Sequence, residues 1–254
     1  MIPAERRQRM LTIISQQGTA TIAQLSDQFA ISEMTVHRDL KFLESTGKVE
    51  KTYGGVIVRH SQVETEFERR RLIGTDAKQL IARAAAELIE DGDSILLDAS
   101  TSILFLIPFL ESKKNIIAFT TGVTVTQQLS SFENIEVHCM GGMILNGTDS
   151  FTGSMTIDNL KKIHADKCFI GSAGITPSYG ISDPLLPIAE VKKFSAAASN
   201  EVIVLADRSK FGRETRFKVL PFDELDLIIS DAEEDAPCVK EIMEKKVELL
   251  LVHQ

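Results

Sequence analysis

The sequence lacks tryptophan and has only two tyrosines and three cysteines among its 254 residues. Cys139, Cys168 and Cys238 form no CxxC pair, and no histidine lies near them at the spacing of a zinc site. We therefore predict reduced thiols within the core, without a disulfide framework, a metal or a cofactor. No uncharged run reaches the roughly 20 residues that span a bilayer, and no basic-apolar leader opens the chain. A cytoplasmic protein with no membrane partner is the expectation.

Basic residues are also in deficit, with 28 lysines and arginines against 36 acidic residues and a net charge of −8. This balance excludes a protein that coats nucleic acid nonspecifically, because its field would repel phosphate. The deficit is uneven, since residues 1–58 contain seven lysines and arginines and six acidic residues. Any DNA contact must therefore come from a few directed side chains near the N-terminus. The length gives room for one small and one medium domain.

Residues 19–55 have the pattern of a helix-turn-helix followed by a two-stranded wing. Thr21 and Gln24 form a capping box that opens one helix, and Ser32 caps the next after a short turn. Residues 48–53 and 56–58 then predict two strands. A plain three-helix bundle with a solvated charged face is the alternative, and the wing favours the DNA-binding arrangement.

The second helix separates into an apolar face and a polar face when it is wound at about 100° per residue. The predicted DNA-contacting residues are Ser32, Met34, Thr35, His37, Arg38 and Lys41 on this helix, with Lys51 and Tyr53 on the wing. Arg38 has the reach for a guanine edge or a phosphate. Asp39 falls nearer the core side, so we predict that it pairs with an arginine. The arginines of the first helix, Arg6, Arg7 and Arg9, are predicted to face water or DNA.

Short apolar runs alternate with helical patterns over residues 78–254. The predicted strands are 95–97, 116–119, 137–139, 168–170, 202–205, 227–229 and 249–252, and the predicted helices are 78–90, 102–110, 123–130, 156–163 and 191–198. Strands that are apolar throughout and alternate with helices are typical of a mostly parallel sheet covered on both faces. The predicted domains are residues 1–58, a helical linker at 59–77, and an α/β domain at 78–254.

Polar residues follow several of these strands, at the edge where α/β sheets bind ligands. The candidate site residues are Asp98, Ser100, Thr101, Ser102, Thr120, Thr121, Gly141, Gly142, Lys192, Asp207 and Lys210. Hydroxyl and backbone N–H groups suit a phosphate, glycines permit close backbone approach, and lysines supply the opposite charge. Ordinary helix capping explains each loop taken alone, whereas several loops on one edge favour an anion site.

Both parts of the chain resemble the DeoR family of bacterial sugar-catabolism regulators. The N-terminal part resembles it in Val36, Arg38-Asp39-Leu40, Leu43-Glu44, Gly47 and Gly54-Gly55. The C-terminal part resembles it in residues 91–98, Gly141-Gly142, Ser150 with Gly153, 171–175 and 207–212. The family has two arginines before the Asp-Leu pair, and this chain has His37 in place of the first. The family also has an acid four residues before a lysine, and this position, counted from Lys192, falls on Ile188 here.

The resemblance implies a winged helix-turn-helix domain followed by a mostly parallel α/β domain similar to ribose-5-phosphate isomerase and CoA transferases. It also implies that a phosphorylated sugar or sugar derivative is the effector. We therefore expect a regulator, a repressor of a carbohydrate-utilisation operon, that binds a double-stranded DNA operator as a homodimer or homotetramer.

Two alternatives stay open at this point. One is an isomerase-like enzyme that carries an accessory DNA-binding head, and the other is a head used only for protein contacts. Proton transfer beside a carbonyl needs a placed acid or base. Because Ile188 occupies the position where the family pattern puts an acid, we do not expect an enzyme.

Overall fold

The computed structural model describes residues 3–17, 19–45, 49–52, 55–58, 66–245 and 247–253. The chain divides into two compact units, residues 1–64 and residues 65–254. One hydrophobic core lies within the first unit and two lie within the second. No helix in these described ranges is long and apolar enough to cross a membrane.

The first unit combines helices with a small antiparallel sheet. Its elements are α1 (Pro3–Gln17), β1 (Thr19–Thr21), α2 (Ile22–Phe29), α3 (Glu33–Ser45), β2 (Val49–Thr52) and β3 (Gly55–Val58). The strand order is β1-β3-β2, so the predicted wing is present and gains a third strand. That strand is three residues long, too short for a period-two pattern to reveal it.

Local hydrogen bonds fix the start of α2, and its last residue turns the chain toward α3. The Oγ1 atom of Thr21 accepts a hydrogen bond from the Gln24 amide at 3.1 Å, and the Gln24 side chain accepts one from the Thr21 amide at 2.8 Å. The predicted capping box is therefore confirmed. Ala30 ends α2 in the left-handed conformation with φ 50°, which directs the chain into α3.

A seven-stranded sheet forms the centre of the second unit. Its strands are β4 (Ser94–Leu97), β5 (Ile116–Thr120), β6 (Ile135–Cys139), β9 (Ala165–Gly171), β12 (Ser199–Leu205), β14 (Leu227–Ser230) and β15 (Glu248–Leu251). All seven predicted strands are present, and their pairings are parallel. The predicted parallel α/β architecture is confirmed.

Helices cover both faces of this sheet. They are α4 (Glu66–Leu72), α5 (Thr75–Glu87), α6 (Thr101–Leu106), α7 (Val123–Leu129), α8 (Ser154–Leu160), α9 (Leu186–Ala197) and α10 (Pro237–Met243). Ile95 and Leu97 of β4 are buried in one core, whereas Leu96 between them is buried in the other. This alternation places an apolar layer on each side of the sheet, as the sequence predicted.

Short antiparallel strands are the part of the fold that the sequence did not reveal. A hairpin pairs β7 (Met143–Ile144) with β8 (Phe151–Thr152), and a second sheet has the order β10 (Gly174–Thr176), β11 (Gly180–Asp183), β13 (Phe217–Leu220). These strands have two to four residues, so hydrophobic periodicity gives them little signal. The second sheet matters for function because β11 ends in Asp183.

The chain reverses its winding direction between β4 and β9. The strands β4, β5 and β6 extend the sheet to one side, and β9, β12, β14 and β15 extend it to the other. Open α/β sheets bind ligands at such a switch point, outside the carboxyl ends of the strands. The switch point therefore predicts a ligand site at the loops after β4 and β9.

The cysteines differ from the prediction in one respect. Cys168 is buried, but Cys139 is exposed and Cys238 is partly exposed, so placing all three thiols in the core was wrong. Cys139 ends β6, which is an edge strand of the large sheet. Over the described ranges, no group of three histidines, cysteines or acids has the arrangement of a metal site.

Candidate nucleic-acid interface and anion site

The two faces of α3 are as the sequence predicted. Val36 and Leu40 are fully buried in the core of the first unit. The opposite face presents Met34, His37, Arg38 and Lys41 to solvent, with Thr35 partly exposed beside them. Met34 keeps 81% of its surface and Phe42, which the sequence analysis did not single out, keeps 48%. An exposed helix face of this kind is what enters a major groove.

Ser32 immediately precedes α3 and caps its first turn. The Ser32 carbonyl accepts a hydrogen bond from the Val36 amide at 3.1 Å. Its hydroxyl lies 3.0 Å from the Thr35 hydroxyl and accepts from the Thr35 amide at 3.3 Å. Both hydroxyls therefore serve the start of the helix, and their contact with DNA stays a prediction.

Asp39 anchors α3 to α1 through a buried ion pair. It accepts hydrogen bonds from Arg6 Nε at 2.6 Å and Arg7 Nε at 2.8 Å, so its predicted pairing with an arginine is confirmed. Burial alone would raise the pKa of Asp39, but the two arginines outweigh it and hold the pKa below its ordinary value. The Arg7 guanidinium also lies 4.1 Å from the centre of the Phe42 ring.

The prediction that Arg6 and Arg7 face water or DNA was wrong for these two residues. Arg6 is only 9% exposed, and both guanidinium groups are held by Asp39. Pairing over more than 30 positions in sequence leaves no local signal. Arg9 is exposed, as predicted. On the wing, Lys51 belongs to β2, whereas Tyr53 lies outside the described residues, so their roles stay predictions.

In the second unit, Asp98 joins the two loops at the switch point. It is 2% exposed and follows β4 directly. One carboxylate oxygen accepts from the Ser100 amide at 2.8 Å, and the other accepts from the Gly171 amide at 2.9 Å. Gly171 leaves no room for a side chain, because an added Cβ would lie 2.5 Å from Ser100 Cβ. The sequence analysis did not identify this contact.

Lys192 lies inside the same cluster. Its Nζ donates to the Gly171 carbonyl at 2.8 Å and to Asp183 at 3.0 Å, and it lies 3.7 Å from Asp98. Burial lowers the pKa of Lys192, but the two carboxylates outweigh that effect and raise it. Lys192 was expected near a helix start, yet α9 begins at Leu186. The structure therefore gives Lys192 a supporting position in the buried cluster.

Asp183 is the acid that pairs most closely with Lys192. It comes from β11, nine residues before Lys192, and its other carboxylate oxygen accepts from the Leu185 amide at 3.1 Å. A pattern that expects the acid one helical turn before Lys192 does not find Asp183, because this pair joins a strand to a helix.

Several hydroxyl groups lie at the ends of β4 and β5, which are neighbours in the sheet. Thr120 is committed to the backbone, since its hydroxyl donates to the Leu97 carbonyl at 2.9 Å and accepts from the Gly122 amide at 3.0 Å. The hydroxyls of Ser100 and Thr121 are buried and have no hydrogen-bond partner. A buried polar group without a partner costs about 1–3 kcal/mol, so a polar group of a ligand that reached these two hydroxyls would offset that cost.

The remaining loop residues divide into buried and accessible ones. Thr101 and Ser102 are buried in the first turn of α6, whereas Gly141 and Gly142 after β6 reach the surface. Gly142 has φ 115°, and a Cβ there would lie 2.2 Å from Thr156 Oγ1. Close packing against α8 therefore requires this glycine, and its approach to a ligand stays a prediction.

Asp207 and Lys210 lie after β12, two strands away from β4, which is roughly 10 Å across the sheet. Lys210 Nζ lies 3.3 Å from Asp207 and donates to Ser209 at 3.0 Å. Burial raises the pKa of Asp207, but hydrogen bonds from Ser209 and the charge of Lys210 outweigh it and lower the pKa. Lys210 keeps 22% of its side chain exposed and so has access to a ligand.

Two clefts lie elsewhere on the second unit. One has a volume of about 600 Å³ and is lined by residues that include Arg208, Asp231 and His253. The other has a volume of about 360 Å³ and is lined by residues that include Tyr179 and Lys218. Neither is lined by the predicted site residues. The buried hydroxyls and the ion-pair cluster define the candidate site.

Comparison with known families covers both units. Residues 6–62 match the model of a DeoR-like helix-turn-helix domain. Residues 74–232 match the model of a DeoR C-terminal sensor domain.

Curated relatives match over nearly the whole chain. The chain is 29% identical to a putative aga operon transcriptional repressor of Escherichia coli O157:H7, over 98% of this chain and 94% of that protein. It is 32% identical to the HTH-type transcriptional regulator IolR of Bacillus subtilis (strain 168), over 89% and 90% respectively. Among solved structures, ribose-5-phosphate isomerase A of Methanocaldococcus jannaschii is similar with 21% identity, 54% of each chain covered and a TM-score of 0.40.

Proposed function

Since the chain belongs to the DeoR family of transcriptional regulators, we propose that it represses a carbohydrate-utilisation operon under the control of a phosphorylated sugar or sugar derivative. The relatives include a protein named as a putative repressor of the aga operon, which supports the class of target. The effector would bind at the switch point of the large sheet and change the affinity for the operator.

The exposed face of α3 supports sequence-specific DNA binding. Arg38 and Lys41 are its cationic members, and His37 lies beside them. Because the whole chain carries a net charge of −8, nonspecific attraction to phosphate is weak and these directed contacts carry the affinity. One such head makes few base contacts, so we propose that a homodimer or homotetramer acts on the operator, in the cytoplasm where the DNA is.

The unpartnered hydroxyls of Ser100 and Thr121 are the observation that carries the effector proposal. They lie on adjacent strand-end loops, and both are shielded from water. Phosphate oxygens accept hydrogen bonds from hydroxyl and backbone N–H groups. Lys210, which is partly exposed at the same edge of the sheet, would supply charge to the sugar or its phosphate. The buried Asp98–Lys192–Asp183 cluster would hold the loops in place.

The same cluster argues against the isomerase-like alternative. Asp98 accepts two backbone amides, and Asp183 accepts a backbone amide and the ammonium of Lys192. Carboxylates held in this way are poor candidates for a general base, because each of their oxygens is already held by a backbone amide or by Lys192.

A ligand panel tests the effector proposal. We expect one or more aldose or ketose phosphates to raise the Tm of the full-length chain without turnover, and to change its binding to the DNA upstream of its own gene. Lys210→Ala should weaken this ligand response by about tenfold or more, the effect of one charge-assisted contact, and leave DNA binding intact.

Lys240→Ala is the matched control, because Lys240 is an exposed lysine on α10. It should respond to the ligand as the unmodified chain does. If no sugar phosphate in the panel changes the Tm, or if Lys210→Ala responds normally, the site is elsewhere.

A further inference from the structure

The helix α4 follows the first unit in the chain and is attached to the core of the second. Phe67 is 3% exposed and belongs to the same core as Ile95 and Leu97 of β4. α4 also packs against α6, the helix that begins directly after Ser100. The helix thus has contact with an element of the proposed effector site, although neither the DNA-binding surface nor the site residues include it.

Lys78 of α5 holds the C-terminal end of α4. It is 3% exposed, and its Nζ donates to the carbonyl oxygens of Arg70 and, at 2.8 Å, Ile73. The last carbonyls of a helix have no partner within the helix and attract a cation. The ammonium also lies 5.8 Å from the centre of the Phe105 ring of α6. One buried charge therefore joins α4, α5 and α6.

The charge of Lys78 also interacts with the proposed site. Burial is the main cause that lowers its pKa, to about 8, and the positive charges of Lys210 and Arg70 lower it further while Asp207 opposes them. When α4 is docked, burial therefore disfavours the charged form of Lys78. Burial raises the pKa of Asp149, and two hydrogen bonds from Thr124, followed by the charge of Arg71 on α4, oppose that rise.

We propose that Lys78 is a positioning residue that transmits anion binding at the effector site to α4, the helix that follows the DNA-binding domain. The proposal rests on the effector function proposed above. An anion beside Lys210 offsets the repulsion that Lys210 exerts on the Lys78 ammonium. The buried ammonium is then less unfavourable, its bonds to the carbonyls of Arg70 and Ile73 at the C-terminal end of α4 become stronger, and α4 docks more firmly.

This mechanism meets the thermodynamic requirement for a switch. A ligand shifts an equilibrium only when it binds one arrangement better than the other. Here the preferred arrangement is the one in which α4 is docked, because only that arrangement keeps the Lys78 charge buried near the anion. Reciprocity then requires firmer docking of α4 to raise the affinity for the anion.

Hydrogen exchange of the α4 amides in the full-length chain tests the proposal, with inorganic phosphate at millimolar concentration as the probe. In the unmodified chain we expect phosphate to slow exchange over Glu66–Leu72 by several-fold. Lys78→Met keeps the length and apolar stem of the side chain but removes the ammonium. It should still show a rise in Tm with phosphate, yet lose the protection of α4.

Lys113→Met is the matched control. Lys113 Nζ donates to the Ile89 carbonyl beyond the C-terminal end of α5, so it is also a lysine that caps backbone carbonyls. We expect it to retain the phosphate-dependent protection of α4.

A pH series on the unmodified chain gives a second measurement that needs no variant. Once Lys78 is neutral, Lys210 no longer repels it, so a bound anion has no repulsion to offset. The protection of α4 by phosphate should therefore be larger at about pH 7.5 than at about pH 9.5. The groups that act on this charge are Asp207, Lys210 and Arg70. Equal protection at both pH values would overturn the proposal.

The outcomes separate this proposal from the effector function. If phosphate raises the Tm but protects α4 equally in the unmodified chain and in Lys78→Met, the role of Lys78 is overturned and the effector function survives. If neither phosphate nor any sugar phosphate raises the Tm, both are overturned.

Discussion

Arg38 lies on the exposed face of α3, next to the buried carboxylate of Asp39. The sequence predicted both positions correctly, because the 3.6-residue period separates the two sides of a single helix. It did not predict that Arg6 and Arg7 are the partners of Asp39, since they lie 33 and 32 positions away. Periodicity places a residue on a face, but it carries no information on which distant side chain meets it there.

The Arg38 guanidinium should provide sequence discrimination. We expect Arg38→Ala to weaken binding to the upstream DNA by about 1–3 kcal/mol, the worth of one good base contact, and to leave the Tm of the chain unchanged. Fluorescence anisotropy with specific and scrambled duplexes measures the loss. Arg83→Ala, an exposed arginine on α5, is the control and should bind normally. Retained discrimination in Arg38→Ala would rule out this assignment.

Asp39 should make the stability of the first unit depend on pH. Its pKa is lowered in the folded state, so its contribution is complete above the unfolded value of about 3.9 and is lost as the pH falls through the folded value. Asp39→Asn leaves two guanidinium groups without their carboxylate. We expect a loss of about 3 kcal/mol, at the low end for a buried pair because Arg7 is partly exposed.

Circular dichroism melts between about pH 3 and pH 7 check this expectation, since the Asp39 carboxyl of the unfolded chain begins to bind its proton within that window, whereas in the folded chain it does so at a lower pH. The difference in stability between the native chain and Asp39→Asn should shrink as the pH falls. A difference that stays constant over this range would show that the Asp39 charge has no part in it.

At the scale of elements, α2 ends in a conformation that its residue does not favour. Ala30 has φ 50° and ψ 47°, and the left-handed region costs a residue with a Cβ roughly 1–2 kcal/mol. Ala30→Gly relieves this strain, but glycine also raises the entropy of the unfolded chain, which offsets part of the gain. We therefore expect the substitution to stabilise the first unit by up to about 1 kcal/mol. Denaturant unfolding measures the change.

Ala23→Gly in the exposed part of α2 is the control for Ala30→Gly. It should destabilise the unit by about 1 kcal/mol, the ordinary cost of glycine within a helix. Destabilisation by both substitutions would mean that the left-handed turn is not strained.

The elements of the large sheet could be predicted because its central strands are buried on both faces. Its strands are consequently short apolar runs, and all seven were found. The antiparallel strands of the second unit were missed, since they are only two to four residues long. This omission had a functional consequence, because Asp183, the partner of Lys192, is the last residue of one of them.

At the scale of the whole molecule, the candidate site gathers loops that are distant in sequence. Asp98 and the Gly171 amide lie 73 positions apart, yet they form a hydrogen bond of 2.9 Å. The sequence indicated that several loops share one edge of a sheet. It could not indicate that β4 and β9 are neighbours, because strand order follows from the packing of the complete domain. The switch point between them became visible only in the fold.

The central claim is that one ligand couples the sensor domain to DNA binding. The most direct measurement is the Kd of the full-length chain for its upstream DNA, with and without the sugar phosphate that raises the Tm most. We expect a change in Kd of about 5- to 150-fold, the usual range of allosteric coupling, with an equal change in ligand affinity when DNA is bound. A ligand that raises the Tm but leaves the Kd for DNA unchanged would contradict the claim.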